Sequence, residues 1–404
     1  ALERIPAVGT ALVEVLQEGK KIIRRGIYHS TMFEEMGFQY VGPVDGHDVT
    51  ELTRIFTNLQ EQYSPVFLHI VTQKGKGLKP AEETPGEFHS VSAFDLDHLT
   101  NPEMSPKDSF SNRFGNKLAA LGREVPNLCA ITAAMKYGTG LNFFYHAIPE
   151  RFFDVGMAEE HAVTFAAGLA SAGMKPYFAV YSSFLQRGFD QIIHDVAIGG
   201  FPVRLLVDRA GIVGEDGETH QGLFDVAFLT GVPGMTIYSP TYYDELERDI
   251  ELSAERDEIV AVRYPRGCEK SGAPKEITGD YTVFEGVGDK AIVTYGRIFQ
   301  NAIEAQKALP DITVIKLNKI YPIPDSLIND IGKYEELHFF EEGIKNGGIA
   351  ELCAAKLLEN GYKGQYNIHA VDNKFVPTAA VSAALKSVGL DTDSMINALK
   401  GAYE

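Results

Sequence analysis

The sequence predicts an α/β protein with two doubly wound parallel-sheet domains, preceded by the C-terminal remnant of a third α/β domain. Short apolar strands alternate with helices from Ser109 onward, which is typical of parallel sheets covered on both faces. Two stretches without sustained periodicity, 79–108 and 268–279, interrupt the alternation. The strands before residue 79 are too few for a complete sheet. We therefore predict domains over 109–279 and 280–404, a linker over 79–108, and a domain remnant over 1–78.

The composition is that of an ordinary globular protein, with 45% hydrophobic and 23% charged residues in a chain of 404. The net charge of −18 argues against sequence-independent binding to nucleic acid. No apolar run is long enough for a membrane span. Cys129, Cys268 and Cys353 are odd in number and far apart, which favours reduced thiols of a cytoplasmic protein over disulfides or a zinc cluster.

The first segment predicts a basic helix over 1–27 and a short helix over 31–36. A turn-rich loop over 40–48 carries His47, and helix 49–62 and strand 65–72 follow. On pattern alone, His47 reads as a loop residue. The chain starts without Met inside a helical pattern, so we expect processing, cloning or a fragment, with the larger part of this domain upstream.

The elements of the two later domains are predicted from continuous apolar runs and amphipathic periodicity. In the domain over 109–279, the predicted helices are 112–122, 159–172, 185–198 and 241–255, and the predicted strands are 128–134, 176–182, 202–209, 234–239 and 258–264. In the domain over 280–404, the predicted helices are 299–308, 347–359, 377–388 and 392–402, and the predicted strands are 290–295, 312–317, 336–341 and 366–371.

One candidate for chemistry is the helix start at Glu159, Glu160 and His161, which precedes a run of small apolar residues. Apolar surroundings raise the pKa of a carboxyl group toward neutrality and suit it to proton transfer. The alternative is an acidic first turn stabilised by the helix dipole. We assign the alternative to Glu160, and the pattern leaves both readings open for Glu159.

Other candidates come directly after the strands of the middle domain, because ligands of open α/β sheets bind at the carboxyl ends of the strands. The segments there are Tyr181–Arg187, Asp208–Gly222 and Arg263–Arg266. Taken one at a time, residues of these types are more often aromatic side chains of the core, members of surface ion pairs or parts of flexible turns than ligand-binding groups. Together they offer aromatic rings, carboxylates, a histidine and guanidinium groups, which fit a flat heterocyclic cofactor beside a phosphorylated substrate.

Several of these strings resemble the 1-deoxy-D-xylulose-5-phosphate synthase family. They are Phe153–Val163, Tyr181–Arg187, Asp208–Gly214 continuing to His220–Gly222, Arg263–Gly267 and Gly42–Asp48. The resemblance runs collinearly along essentially the whole chain. It implies a homodimeric, transketolase-like enzyme that uses thiamine diphosphate and Mg²⁺. Such an enzyme decarboxylates pyruvate and condenses it with glyceraldehyde 3-phosphate, the first step toward non-mevalonate isoprenoid, thiamine and pyridoxal precursors.

The resemblance also implies roles for individual residues. Glu159 would hydrogen-bond the aminopyrimidine of the cofactor, Phe184 would stack on that ring, and Arg187 would lie beside it. The acceptor's phosphate would be bound by Arg209 and Arg266, and the substrate pocket beside it would be formed by Tyr181, Asp216 and His220. His47 would reach the site from the first domain and manage protons on the pyruvate-derived intermediate. An imidazole suits that task because it titrates near neutral pH.

One family feature does not occur in this chain. Thiamine-diphosphate enzymes hold Mg²⁺ and the diphosphate with a Gly-Asp-Gly motif and a later Asn, which supply hard oxygen ligands. The sequence has no such motif, so we assign no metal ligand in it and expect those ligands upstream of Ala1. The chain alone would then bind the cofactor poorly.

Two other hypotheses stay open. A β-type subunit of a 2-oxoacid dehydrogenase would have the same two domains, although residues 1–78 and the segments around His220 and Arg266 argue against it. A non-catalytic dimerisation module would bind no thiamine diphosphate.

Overall fold

The computed structural model describes residues 32–60, 62–89, 108–270 and 279–401. The chain divides into two compact units, residues 1–102 and residues 103–404. The basic helix predicted over 1–27 lies outside the described residues. Among the residues described, no helix combines the length and hydrophobicity needed to span a bilayer.

The unit of residues 1–102 contains a two-stranded parallel sheet of β1 (Gln39–Asp45) and β2 (Val66–Val71). Helix Val49–Leu59 connects the two strands, and the Asp48 side chain caps it by accepting a hydrogen bond from the Glu51 N–H at 2.9 Å. Shorter helices flank this sheet at Met32–Glu35 and Lys79–Glu83.

One expectation for this unit is wrong. The loop predicted over 40–48 is a strand as far as Asp45, because pairing with apolar β2 outweighs the Gly and Pro signals. A shift of register between Val41 and Val44 accommodates Gly42 and Pro43. The predicted linker over 79–108 begins with the helix Lys79–Glu83.

The unit of residues 103–404 contains a seven-stranded sheet. Its strands are β3 (Leu128–Thr132), β4 (Phe152–Asp154), β5 (Lys175–Tyr181), β6 (Arg204–Asp208), β7 (Met235–Tyr238), β8 (Ile259–Arg263) and β12 (Lys319–Tyr321). They lie in the order β12-β7-β8-β6-β5-β3-β4, and all are parallel except the edge strand β12, which pairs antiparallel with β7. The α-helices that precede or connect these strands are Phe110–Glu124, Asn142–Ala147, Glu159–Ser171, Ser182–Leu185, Phe189–Gln191, Asp225–Leu229 and Tyr243–Glu255.

A five-stranded sheet completes this unit. Its strands are β9 (Tyr281–Phe284), β10 (Lys290–Tyr295), β11 (Thr313–Leu317), β13 (Glu336–Ile344) and β14 (Gln365–Val371). They lie in the order β14-β13-β10-β11-β9 and are parallel except for the edge strand β9. The α-helices are Phe299–Ala308, Asp325–Ile331, Ile349–Glu359, Val381–Ser387 and Thr392–Leu399. Two doubly wound, largely parallel sheets confirm the predicted fold class, and the domain boundaries stay predictions.

The structure differs from the predicted secondary structure mainly in its short elements. The three-residue and four-residue strands β4, β9 and β12 are not predicted, because an edge strand that short carries almost no periodic signal and is stabilised by its neighbour. The helix predicted over 185–198 is instead broken into α-helical, 3₁₀ and π-helical turns, ending with a π-helix at Ile192–Ala197.

The two sheets share one hydrophobic core. Its cluster of buried residues includes Phe178 and Val207 from the seven-stranded sheet, and Val293 and Phe339 from the five-stranded sheet. Full burial of side chains of this size stabilises by about 1.5–3 kcal/mol each. Strand β12, which comes after β11 in the chain, joins the other sheet and so ties the two together.

Candidate active site

Glu159 is the first residue of helix Glu159–Ser171, and its side chain is buried although a carboxylate there is ordinarily solvated. Only 2% of the residue is exposed. The Arg187 guanidinium donates a hydrogen bond from Nη1 to Glu159 Oε1 at 2.8 Å, while Arg187 itself is about half exposed. Gly188 allows the segment that carries Arg187 to pack closely on this helix, because a Cβ at Gly188 would lie 2.8 Å from the Val163 side chain. The neighbouring Glu160 is exposed, as an ordinary first-turn carboxylate would be.

A row of rings extends from this ion pair. Strand β5 ends at Tyr181, and the short helix after it turns the Phe184 ring to lie 5.8 Å from the Tyr181 ring, centroid to centroid. The His220 ring meets the edge of Phe184 at 5.2 Å. Arg187 lies 4.9 Å from the Phe184 centroid. Phe184 is therefore in contact with the glutamate's partner on one side and with a histidine on another.

Arg209 comes directly after strand β6 and packs on the same row. Its backbone is left-handed, with φ of 59°, and its guanidinium carbon lies 3.7 Å from the Tyr181 ring centroid. Nη1 donates to the Gly138 carbonyl at 3.0 Å. A Cβ at Gly138 would lie 1.8 Å from the Tyr181 hydroxyl, so this position requires glycine. Nε of Arg209 is buried and has no hydrogen-bond partner among the described residues.

Asp216 connects two arginines at the end of this row. Its Oδ1 accepts a hydrogen bond from Arg266 Nη1 at 2.8 Å, and its Oδ2 lies 3.7 Å from Arg209 Nε. Arg266 is partly exposed, and both guanidinium groups keep donors beyond those that Asp216 uses. The pair presents the fork geometry that matches a phosphate group.

Asp208 begins one of the candidate segments, but the sequence assigns it no role. It is wholly buried, and burial raises the pKa of its carboxyl to about 6 despite the nearby Arg209 and a hydrogen bond from the Ser111 hydroxyl. That hydroxyl donates to Oδ2 at 2.7 Å, and Oδ1 has no hydrogen-bond partner among the described residues. Burial also raises the pKa of Tyr181 to about 12. An Asp that ends an apolar strand directly before Arg is the signal that could have identified Asp208.

His47 lies in the other unit, two residues after the end of strand β1. Its Nε2 accepts a hydrogen bond from the Gln73 N–H at 2.8 Å, and its own backbone N–H donates to Asp45 at 2.9 Å. An Nε2 that accepts leaves the proton of the neutral ring on Nδ1. The local structure thus fixes both the tautomer and the direction of this ring.

The predicted site residues other than His47 all lie in the unit of residues 103–404, and the structure connects them through contacts. The set runs from Glu159 through Arg187, Phe184, Tyr181 and His220 to Arg209, Asp216 and Arg266. No group of His, Cys, Asp and Glu side chains suited to a metal ion occurs within the described ranges. The arrangement combines a buried acid, a ring surface and a cationic end.

Three family models match consecutive parts of the chain. The 1-deoxy-D-xylulose-5-phosphate synthase model matches residues 1–72, the transketolase pyrimidine-binding domain matches 108–269, and the transketolase C-terminal domain matches 286–395. Buried Glu159 and the aromatic row lie within the second match.

Similar whole proteins agree with these models. The chain is 38% identical to a 1-deoxy-D-xylulose-5-phosphate synthase of Lachnoclostridium phytofermentans, with 98% of this chain and 65% of the relative covered. It is 40% identical to the enzyme of that name from Clostridium beijerinckii, with 98% and 66% covered. The chain thus spans about two thirds of the length of these curated relatives.

Among solved structures, a split-gene transketolase, an inactive β4 tetramer, superposes with a TM-score of 0.63 at 25% identity, over 73% of this chain and 98% of that one. The chain belongs to the 1-deoxy-D-xylulose-5-phosphate synthase family of transketolase-type enzymes.

Proposed function

We propose that this chain carries the cofactor-pyrimidine and acceptor-phosphate parts of a 1-deoxy-D-xylulose-5-phosphate synthase. The reaction joins pyruvate and glyceraldehyde 3-phosphate, forming one carbon–carbon bond and releasing CO₂. The observation that carries the proposal is the continuous contact between a buried carboxylate, stacked rings and two arginines that share Asp216.

Residues of the described part of the chain fit the pyrimidine end of thiamine diphosphate. Glu159 is buried, and among the described residues only its Oε1 is hydrogen-bonded, so Oε2 can pair with a ring nitrogen. Phe184 offers a partly exposed ring face, and Ser183 beside it has a buried hydroxyl without a partner in the described ranges. When bound, thiamine diphosphate supplies an electron sink for decarboxylation.

The chain's own residues then have distinct tasks. Glu159 holds or shares a proton with the pyrimidine ring, and Arg187 keeps that carboxylate in place. Arg209 and Arg266 bind the phosphate of the acceptor, which orients its aldehyde carbon toward the rings. Tyr181, Asp216 and His220 line the substrate pocket, and a role for His47 in proton transfer, which the family resemblance implies, belongs to the same proposal.

The described residues do not fit the other end of the cofactor. They contain no cluster suited to Mg²⁺, so the diphosphate and its metal ion would be held by groups outside them. Assembly as a homodimer belongs to the same proposal. The tetramer of β chains formed by the split-gene transketolase is inactive, which motivates testing this chain both alone and with any co-purifying polypeptide.

The test combines intact-mass analysis with calorimetric titration of thiamine diphosphate and Mg²⁺, followed by an assay for 1-deoxyxylulose 5-phosphate. We expect weak cofactor binding by this chain alone, and tight binding by a species that also supplies the ligands of the diphosphate and Mg²⁺. That species should form product only when both pyruvate and glyceraldehyde 3-phosphate are present. Turnover of 2-oxoacids that ignores the phosphorylated acceptor would instead support the β-type dehydrogenase subunit. Absence of cofactor binding by every species in the preparation would contradict the proposal and favour the non-catalytic module.

A further inference from the structure

The loop from Arg209 to Gly222 carries Asp216 and His220, and it is closed at its base. Gly211 and Gly222 exchange backbone hydrogen bonds of 2.6 and 2.8 Å and form an isolated antiparallel bridge. Gly222 permits this pairing, because a Cβ there would lie 2.2 Å from the Arg209 carbonyl oxygen. The loop residues between these two glycines must be held in one conformation by other contacts.

An ion pair from the region of the five-stranded sheet provides such contacts. Glu342 on β13 is 5% exposed and accepts a hydrogen bond from the Ile212 N–H at 2.7 Å. Arg297, which lies just after β10, donates from Nε to Glu342 at 3.0 Å and from Nη2 both to Glu342 and to the Ile212 carbonyl. Both backbone polar groups of Ile212 are therefore bound by this one pair.

The neighbouring carboxylate on the same strand has a different task. Glu341 accepts hydrogen bonds from the Tyr295 hydroxyl at 2.6 Å and from the N–H groups of Ile349 and Ala350 at 3.0 Å each. These partners belong to the five-stranded region itself. Successive side chains of a strand point to opposite faces, so Glu341 supports its own region and Glu342 reaches the loop.

Further contacts keep the loop against the same region. Gln221 accepts from the Val213 N–H at 2.8 Å and donates to the Val376 carbonyl at 3.3 Å. A Cβ at Gly217 would lie 2.5 Å from the Thr378 hydroxyl. A Cβ at Gly211 would lie 2.6 Å from the Glu342 carboxylate, so the contact of Glu342 with the loop also requires a glycine there.

We propose that Arg297 and Glu342 are positioning residues, a clamp that holds the loop of Arg209–Gly222 in the conformation that aims Asp216 and His220 at the substrate pocket. The catalytic consequence rests on the proposed function, while the mechanical claim about the loop does not. The clamp acts through the backbone of Ile212 and not through contact with the substrate.

The mechanical claim is tested by hydrogen–deuterium exchange on the whole protein, with Glu342→Gln and Arg297→Met as the variants. Loss of a charge-assisted hydrogen bond to the backbone should speed amide exchange of residues 211–222 by about tenfold or more. Strand β6, just before the loop, should keep its exchange rates. The matched control is Glu341→Gln, which removes a buried negative charge one residue away and should leave exchange in the loop unchanged.

The catalytic claim adds a kinetic readout. In the clamp variants, kcat/KM for glyceraldehyde 3-phosphate should fall about tenfold or more, with the KM for pyruvate nearly unchanged. Arg297→Lys, which keeps a charge for Glu342, should recover part of both effects. It also serves as the folded variant if Arg297→Met does not fold.

Two results would overturn the inference: exchange of the loop that is unchanged in folded clamp variants, or acceleration that is equally large in β6 and in the loop. Faster loop exchange in the clamp variants, in a protein whose assembled wild-type form has no synthase activity, would support the clamp and contradict the proposed function.

Discussion

The two sheets of the unit of residues 103–404 are built alike but differ in the side chains at the ends of their strands. Strand β5 ends at Tyr181, Arg209 follows β6, and the segment ending at Arg266 follows β8. These residues are in part exposed, and the two arginines retain unused donors. Strands β11 and β13 carry Lys316, Glu341 and Glu342, all buried and bonded to other groups of the protein. The first set keeps polar groups available for the ligand that we propose, whereas the polar groups of the second set are bonded within the protein.

Lys316 is an example of a buried side chain whose charged group is bonded to other groups of the protein. Its ammonium group donates to Glu245 Oε1 and to Asn318 at 2.7 Å each, and Lys316 and Glu245 are each about 1% exposed. The other oxygen of Glu245 accepts from the Thr241 N–H at 2.6 Å. Glu245 lies on a helix of the seven-stranded sheet, so this pair joins the two regions. Burial lowers the pKa of Lys316, and Glu245 opposes that effect. The same kind of sheet therefore presents available polar groups at some strand ends. At other strand ends, the polar groups are bonded to the rest of the protein.

The largest expected effect is on catalysis at the candidate active site, which includes the partly exposed strand ends. Glu159→Gln removes the acid but keeps its shape, so we expect kcat for the synthase reaction to fall about 10²- to 10⁴-fold. The matched control is Glu160→Gln, one residue on and exposed, which should keep near-native turnover. Circular dichroism checks that both variants fold. Near-native kcat in a folded Glu159→Gln enzyme would remove this residue from the mechanism.

The second prediction concerns stability at the buried set. Lys316→Met leaves the Glu245 carboxylate buried without its charge partner, so the free energy of unfolding should fall by about 3–5 kcal/mol. Lys307→Met is the control, since Lys307 forms a similar pair with Glu304 on the surface, where the side chains are 58% and 53% exposed. That loss should be at most about 1 kcal/mol. Equal losses in urea denaturation would mean that burial does not distinguish the two pairs.

The third prediction separates the two substrates. Arg266→Met should raise the KM for glyceraldehyde 3-phosphate about 10- to 100-fold, because a hydrogen bond between charged groups is lost, and it should leave the KM for pyruvate nearly unchanged. Arg256→Met, at an arginine paired with Glu258 on the surface, is the control. Similar increases for both substrates would contradict a phosphate role for Arg266.

The smallest effect is a pH dependence of stability. Burial raises the pKa of Asp208 to about 6 and that of Asp249 to about 7, although Arg209 and Arg248 respectively oppose it. Asp249 also faces Glu245, which raises its pKa, and Lys316, which lowers it. The folded state therefore binds these protons more tightly than the unfolded chain, where such groups titrate near pH ~3.9.

The contribution of each group to stability is consequently full below about pH 4 and is lost as pH rises through its folded pKa, with a slope of at most about 1.4 kcal/mol per pH unit. Asp249→Asn should flatten the unfolding free energy between about pH 4 and pH 7. Asp325→Asn, at an exposed carboxylate paired with Lys356, should not. Denaturant titrations across this range measure both, and an unchanged slope in Asp249→Asn would assign the effect to other groups.

The regular part of the fold could be predicted because long apolar strands and helices carry their own periodicity. Helix Phe299–Ala308 and strand β10 have the bounds that the sequence predicts. Strand β1 could not be predicted, since its Gly42-Pro43 step reads as a turn until β2 is available to pair with it. The same holds for β12, which finds its partner β7 across a long separation in sequence.

The candidate site divides in the same way. Residue types and family-specific strings are enough to identify Glu159, Phe184, Arg209 and Arg266 as candidate site residues, because the sequence gives the functional group of each side chain directly. Their mutual contacts, the burial of Asp208 and the clamp of Arg297 on Ile212 are not visible there.

By itself, the sequence determined the fold class, the family and the chemical identity of the candidate groups. Only the tertiary structure decided which carboxylates are buried, which arginines are shared, and that Glu342 reaches the loop while Glu341 does not. The physical reason is that burial and pairing depend on packing between elements far apart in the chain. Residue type and local periodicity do not encode that packing.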